Sequence, residues 1–260
     1  MKRLARWMLG IFPRTWLQRL ANILLPFLDF YYRGNRFTDP INGKSYRSFL
    51  PYGYVKIRPK ALSPGTLSLE RHRLIWLYLQ RQTTFFFENA AVLHMAPEKA
   101  LMTHLIKLKH IDYTTCDLES PLAKVKADIC NLPFADATFD WILCNHVLEH
   151  IPNDTKAMKE LYRVLKPGGK ALLQVPLDTN RAKTFEDDSI VDNSKRTEVF
   201  GQYDHVRVYG KDYFNKLRQI GFEVSEIQFG KSLSEAERLR FAVKKDEYIP
   251  LCLRPTQDHR

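Results

Sequence analysis

At 260 residues, with 45% hydrophobic and 27% charged residues, the chain can bury the core of one α/β domain of ordinary size and carry an extension, so a chain too polar to fold is excluded. Four cysteines (Cys116, Cys130, Cys144, Cys252) stand far apart with no CxxC pair, which excludes a disulfide framework and reads as reduced, structural thiols of a cytoplasmic protein. The net charge of +11 sits at one end: residues 1–82 hold fifteen Lys/Arg against three acids, whereas residues 83–260 hold twenty-five against twenty-six, so an anionic partner is expected at the N-terminal third.

Residues 1–36 mix Trp, Phe, Leu and Ile with seven Lys/Arg and a single acid. Their longest apolar part, Ala21 to Leu28, is broken by Asn22 and Pro26 and falls well short of the roughly 20 residues that span a bilayer. Arg6 interrupts the early apolar run, so a signal peptide is not expected either. Two short helices parted near Pro13, with Trp7, Ile11, Trp16, Leu17 and Leu20 on apolar faces, suit peripheral contact with the inner face of a membrane or packing within the protein, and both stay open.

Between residues 37 and 67 two turns, Asp39-Pro-Ile-Asn42-Gly and Ser63-Pro-Gly-Thr66, repeat the spacing of a zinc ribbon without its cysteines. One carboxylate with neutral Asn, Ser and Thr oxygens is a poor zinc set, so the expectation is the shape of the knuckle without metal. Ser68 is expected to cap a helix reaching Gln82, with Leu69, Ile75, Trp76 and Leu79 facing inward. On that helix Glu70 would pair with Arg73 on a solvated face, unless Arg71 or Arg73 meets an anionic group.

Ala90 to Lys99 reads as a first strand and its turn, and Ile111 to Asp117 as the second strand of a sheet. An acid at the carboxyl end of a strand, as Asp117 is, can accept both hydroxyls of a ribose; Asp112, at the other end, should face solvent. Phe139, Trp141, Ile142, Leu143 and Val147 form the near-continuous apolar run of a strand covered on both faces. That run ends in Asn145, His146, Glu149 and His150, at the strand end where open α/β sheets hold their ligands, while Asp140 at its start is expected to be structural. Asn153 or Asp154 caps the next helix, Ala157, Leu161, Val164 and Leu165 supply its apolar stripe, and Pro167-Gly168-Gly169 stop it.

A fifth strand follows from Lys170. Residues 178–210 then read as a structureless polar insertion, a lid or a disordered segment, dense at its end in Gln202, Tyr203, Asp204, His205, Arg207 and Tyr209. A helix to Ile220 and strands near Val224 and Ile249 complete seven strands. The expected fold is a Rossmann-like α/β sheet, mostly parallel with an antiparallel edge hairpin, over residues 85–260. Before it come a basic helical extension (1–36) and a turn-rich segment with a helix (37–84).

The stretch Ala127 to Gly169 joins ADICNLPFADATFD, HVLEH and RVLKPGG in order. This set resembles the class I S-adenosylmethionine (SAM)-dependent methyltransferases, in particular the type 11-like branch that methylates small molecules and lipids. FLPYG and LSLERHR are similar to a bacterial subgroup of these enzymes in many members of which the positions matching Asp39, Asn42, Ser63 and Thr66 are cysteines; DPINGK and ALSPGTLSLERHR resemble instead its Bacteroidetes-type branch, with a degenerate, cysteine-less zinc-ribbon-like segment.

The resemblance implies SAM as cofactor. It places Ala96, Pro97 and the backbone from His94 to Glu98 along the methionine part, although no glycine stands there, with Glu98 on the amino group. Asp117 and the adjacent Leu118 fall at the ribose, Asp128 and Ile129 at the adenine beside Leu132, Pro133 and Phe134, and Asn145 and His146 near the methyl group. His205 is the first candidate for a general base, with Asp204 as its orienter and His146 and His150 next; no metal is expected. The acceptor would be a small molecule, lipid-linked or glycan-linked, met by a monomer or homodimer. An RNA methyltransferase gripping backbone with its basic third, or a non-catalytic binding protein of this fold, are the alternatives.

Overall fold

The chain, a computed structural model describing residues 24–53 and 57–256, divides into two compact units. One comprises residues up to Trp76 together with Ser234–Lys244; the other runs from Leu77 to Leu233 and resumes at Lys245. The two helices expected about Pro13 lie outside the described residues. No described helix is long and apolar enough to cross a membrane.

In the N-terminal unit, β1 (Arg33–Thr38) pairs antiparallel with β2 (Ser45–Tyr46), and β3 (Leu50–Tyr52) with β4 (Arg58–Leu62). The turn after β1 closes through Asp39 N–H to Lys44 O at 2.9 Å, and the turn after β4 closes alike through Ser63 N–H to Ser68 O at 2.9 Å. The buried Asp39 carboxylate joins the two. It accepts from the Thr66 hydroxyl, from the Ser68 hydroxyl at 3.1 Å and from Ile41 N–H at 3.0 Å. Asn42 turns instead to the Tyr46 hydroxyl at 2.9 Å, and a Cβ on Gly65 would collide with that same hydroxyl.

These bonds alter the helix that follows, Glu70–Gln82. The Ser68 hydroxyl is held by Asp39 and does not cap it; Leu69 N–H donates to His72 Nδ1 at 3.1 Å instead. Glu70 pairs with Arg58 at 2.8 Å, not with Arg73. Arg73 is neither solvated nor free for an anion. Its buried guanidinium donates to the carbonyls of Ala61, Ser68, Phe241 and Ala242 and lies 4.6 Å from the centroid of Phe49. Burial pulls its pKa down to about 10, against the charges of Asp39 and Glu70, so it stays protonated at neutral pH. Asp39→Ala would strand three donors and remove an anion near a buried cation, and is expected to cost about 2–4 kcal/mol in denaturant unfolding. Asp39→Asn should recover part of that loss; an unchanged midpoint in the alanine variant would show that the turns hold without the carboxylate.

The second unit is built on one seven-stranded sheet, in the order β12–β13–β9–β8–β5–β6–β7. Its strands are β5 (Ala90–Met95), β6 (Ile111–Asp117), β7 (Val125–Lys126), β8 (Phe139–Asn145), β9 (Leu165–Gln174), β12 (Glu223–Ile227) and β13 (Ile249–Leu253). All pairings are parallel except those of β13 with β9 and with β12, so the edge hairpin carries the antiparallel strand. Leu93, Ile142 and Leu173 on the central strands pack with Ala157, Leu161 and Val164 of the helix Asp154–Val164 in one core.

Both ends of that helix are closed. Asn153 Oδ1 accepts from Lys156 N–H at 3.0 Å, and Arg254 donates to the carbonyls of Tyr162, Arg163 and Leu165 at 3.1, 3.0 and 2.6 Å. Asp140 is structural, accepting from Ala91 N–H at 2.8 Å and pairing with Lys166 at 2.8 Å. Asp112 is exposed. The segment 178–210 is not structureless. It holds β10 (Phe185–Glu186) paired with β11 (Arg207–Val208), and a helix Asn193–Phe200 capped by the Asp192 side chain and ended by Gly201 at φ 87°. Those two caps are a helix signal that the segment's polarity obscured.

Candidate active site

Strand β5 lies between β6 and β8, the point where the strand order reverses, and there the carboxyl ends leave a crevice. A cavity of about 450 Å³ occupies it, a size suited to a nucleoside-containing cofactor. Two of its walls are built from left-handed residues. β5 ends at Met95 and the chain turns at Ala96 (φ 46°); β8 ends at Asn145 and turns at His146 (φ 54°). Glycine would adopt this conformation without penalty; for residues bearing a Cβ it costs roughly 1–2 kcal/mol. The turns are pinned by Ala96 N–H to Cys116 O at 2.8 Å and His146 N–H to Gln174 O at 2.7 Å, and strain of this kind gathers at functional sites.

At the end of β6, Asp117 lines the cavity. Its Oδ1 accepts from Glu119 N–H at 2.8 Å and Ser120 N–H at 2.5 Å, which shapes the turn and leaves Oδ2 as the acceptor for a ligand. Leu118 beside it is 64% exposed, an apolar side chain held over the opening. Asp128 holds its own turn by accepting from Cys130 N–H at 2.8 Å, and the buried Ile129 supplies an apolar wall. His146, His150 and Asp204 close the far side.

Eight residues expected here do not line the cavity: His94, Pro97, Glu98, Leu132, Pro133, Phe134, Asn145 and His205. His94 is fully buried within the sheet, its Nδ1 2.7 Å from the Tyr113 hydroxyl and its Nε2 2.6 Å from Glu98 Oε2. That pair holds Glu98 away from the cavity, and Pro97 between them is buried. Asn145, the last residue of β8, is buried and does not line the cavity; among the described residues no hydrogen bond reaches either polar atom of its amide. His205 is buried, and its Nδ1 lies 3.1 Å from Phe200 O. Burial lowers its pKa, with the nearby His150 adding to the effect and the Glu149 charge opposing it.

Sequence reading missed the brace behind this far side. Arg207, 3% exposed, donates to the carbonyls of Leu148 and Pro152 at 2.9 Å each and to that of Ile151, closing the short 3₁₀ helix Leu148–His150 that carries His150. The Tyr209 hydroxyl and Lys216 Nζ both donate to Asp154 Oδ2 at 2.8 Å. Burial alone would raise the Asp154 pKa; the Lys216 hydrogen bond, the Arg207 charge and the Tyr209 hydrogen bond outweigh it and hold the carboxyl below its ordinary value. The cysteines stay as protonated thiols: burial pushes Cys116 up to about 11 and raises Cys130, Cys144 and Cys252 as well.

Residues 91–173 match a family model described as a methyltransferase domain. The chain is 48% identical over 56 residues to a sterol 4-C-methyltransferase of Caenorhabditis elegans, spanning 22% of this chain and 17% of that protein. It is 29% identical over 119 residues to a 2-phytyl-1,4-naphtoquinone methyltransferase of Nostoc punctiforme, spanning 40% and 50%. The chain thus spans no more than half the length of these curated relatives. Among solved structures it resembles the 4+2 cyclase SpnF with a TM-score of 0.51 at 15% identity, covering 84% of this chain and 92% of that one, a likeness of fold. The fold is the Rossmann-like class I methyltransferase fold.

Proposed function

We propose that this chain, which carries a methyltransferase domain across residues 91–173, transfers the methyl group of SAM to a small-molecule acceptor. The observation that carries the reading is the cavity at the switch point, with Asp117, Asp128 and the left-handed Ala96 at three successive strand ends. The residues fit the cofactor. Asp117 Oδ2 takes the ribose hydroxyls, Leu118 and Ile129 flank the adenine, Asp128 meets its exocyclic amine, and Ala96 with the His146 backbone borders the methionine part. Bound there, SAM supplies an electrophilic methyl carbon on a sulfonium. The chain's own contribution is alignment, which can be worth roughly 7–11 kcal/mol for an in-line displacement. His146, His150 and Asp204 face the acceptor side.

Quinone and sterol methylation by the two relatives supports a lipid-like acceptor. The basic N-terminal third supports an anionic, lipid-linked or glycan-linked one at a membrane surface. Within the N-terminal unit, Arg36, Lys60, Arg238, Arg240 and Lys244 line a groove suited to such a group. The two turns joined by Asp39 support reading residues 37–67 as a zinc-ribbon-like segment held by hydrogen bonds in place of a metal. Titration calorimetry with S-adenosylhomocysteine, the demethylated cofactor, tests the function directly. One site of micromolar affinity is expected, and absence of heat at about 1 mM ligand with folded protein would reject it.

A further inference from the structure

We infer that Glu149, His150 and His205 form a binding site for one divalent transition-metal ion at the acceptor side of the cavity. One donor atom from each lies within 4.8 Å of the other two, so small side-chain rotations bring all three to the ~2.0–2.2 Å at which imidazole and carboxylate hold such ions. Two imidazoles and one carboxylate are the donor set of open, catalytic zinc sites and suit Zn²⁺, Co²⁺ or Mn²⁺ over Mg²⁺.

The second observation is how the rings are held. His205 Nδ1 lies 3.1 Å from Phe200 O, and His150 Nδ1 lies 3.3 Å from Asp204 O and 3.4 Å from Asp204 Oδ2. A carbonyl oxygen only accepts, so Nδ1 carries the proton in both rings and the Nε2 lone pair is left for an ion. A carbonyl or carboxylate behind the far ring nitrogen is the usual support of a metal-bound histidine. The two rings meet edge to face with centroids 4.7 Å apart. Glu149 is 1% exposed, with His146 Nδ1 3.2 Å from Oε1, so the cluster sets a buried carboxylate beside imidazole rings.

The elements that carry the three ligands are tied together. Val206 N–H donates to Glu149 O at 3.0 Å, joining the His205 segment to the 3₁₀ helix, and Arg207 clamps that helix from behind. Of the three ligands His150 lines the cavity, so the metal site adjoins the space that an acceptor would enter. Metal binding stands on this geometry alone; a role in holding the acceptor rests on the function proposed above.

The test titrates chelator-treated full-length protein with Co²⁺ and with Zn²⁺, following Co²⁺ absorption and heat, and measures S-adenosylhomocysteine binding on the same samples. One equivalent should bind, without a thiolate charge-transfer band. Glu149→Gln and His205→Gln should each weaken metal binding by more than about 100-fold, beyond what losing an outer-shell partner alone costs, while nucleoside binding persists. Cys130→Ser and His110→Gln, outside the cluster, should bind metal as wild type does. Undiminished metal affinity in both ligand variants, a site lost in Cys130→Ser, or wild-type protein that takes the nucleoside but no metal would each overturn the inference. Metal binding without nucleoside binding would instead support it and reject the methyltransferase reading.

Discussion

Asp117→Asn is expected to weaken binding of SAM and of its demethylated product about 10- to 100-fold, with the protein folded as before. The asparagine oxygen can still accept from Glu119 and Ser120 N–H, so the turn after β6 survives. What changes is the second oxygen: an NH₂ donor replaces Oδ2 where the ribose hydroxyls need an acceptor. Hydrogen bonds to charged groups are worth about 1.5–3 kcal/mol, and each 1.4 kcal/mol is tenfold in affinity. Asp117→Ala removes both functions and should lose about 1 kcal/mol of stability as well. Asp112→Asn, at the exposed opposite end of the same strand, should change nothing. Calorimetry of the three variants decides; undiminished affinity in Asp117→Asn would reject the ribose assignment.

The strand ends were legible because a parallel sheet leaves a plain trace. A strand covered on both faces reads as an unbroken apolar run, and the polar residues just past it fall at the crevice. Asp117 and His146 follow from that rule and Asp128 from the family resemblance, and all three line the cavity. Two residues that fall short of the cavity, His94 and Asn145, do so by single-residue steps. His94 is the next-to-last residue of β5, so its side chain points into a face of the sheet and finds Tyr113 on the neighbouring strand. Asn145 is still in β8, whereas His146, one residue on, turns left-handed into the cavity. Sequence periodicity places a strand end only to within a residue or two, and one residue reverses the side chain.

The bracing arginines, Arg73 and Arg207 buried and Arg254 half-buried, were beyond sequence reading for a different reason. Arg73, Arg207 and Arg254 each sit in stretches rich in charge, where a solvated side chain is the ordinary expectation. Each instead closes backbone carbonyls supplied by elements far off in sequence, as Arg254 does for the helix ending at Val164, some ninety residues earlier. The demand comes from a helix end or a turn that must be satisfied when buried. Nothing local to the arginine announces it.

Of these, Arg207 is expected to matter most to stability. Arg207→Met keeps the bulk of the aliphatic stem but leaves the carbonyls of Leu148, Ile151 and Pro152 without their donor, and takes the guanidinium from Glu186 and Asp154, which keep Lys216. Breaking a buried ionic network from one side costs about 3–5 kcal/mol. At about 2–4 °C per kcal/mol for a unit of this size, the melting temperature should fall by roughly 6–20 °C. Arg207→Lys keeps the charge without the planar fork that spans three carbonyls, and should fall between. The effect has a pH signature through Asp154, whose folded pKa is depressed. Its stabilisation is complete above the ordinary carboxylate pKa, near 4, and is lost as pH falls from there through the depressed folded value. The gap between wild type and Arg207→Met should therefore be widest at neutral pH and narrow below about pH 4. Thermal melts at pH 7 and at about pH 3.5 read both effects. A melting temperature within about 2 °C of wild type at pH 7 would show that the far wall of the cavity stands without its brace.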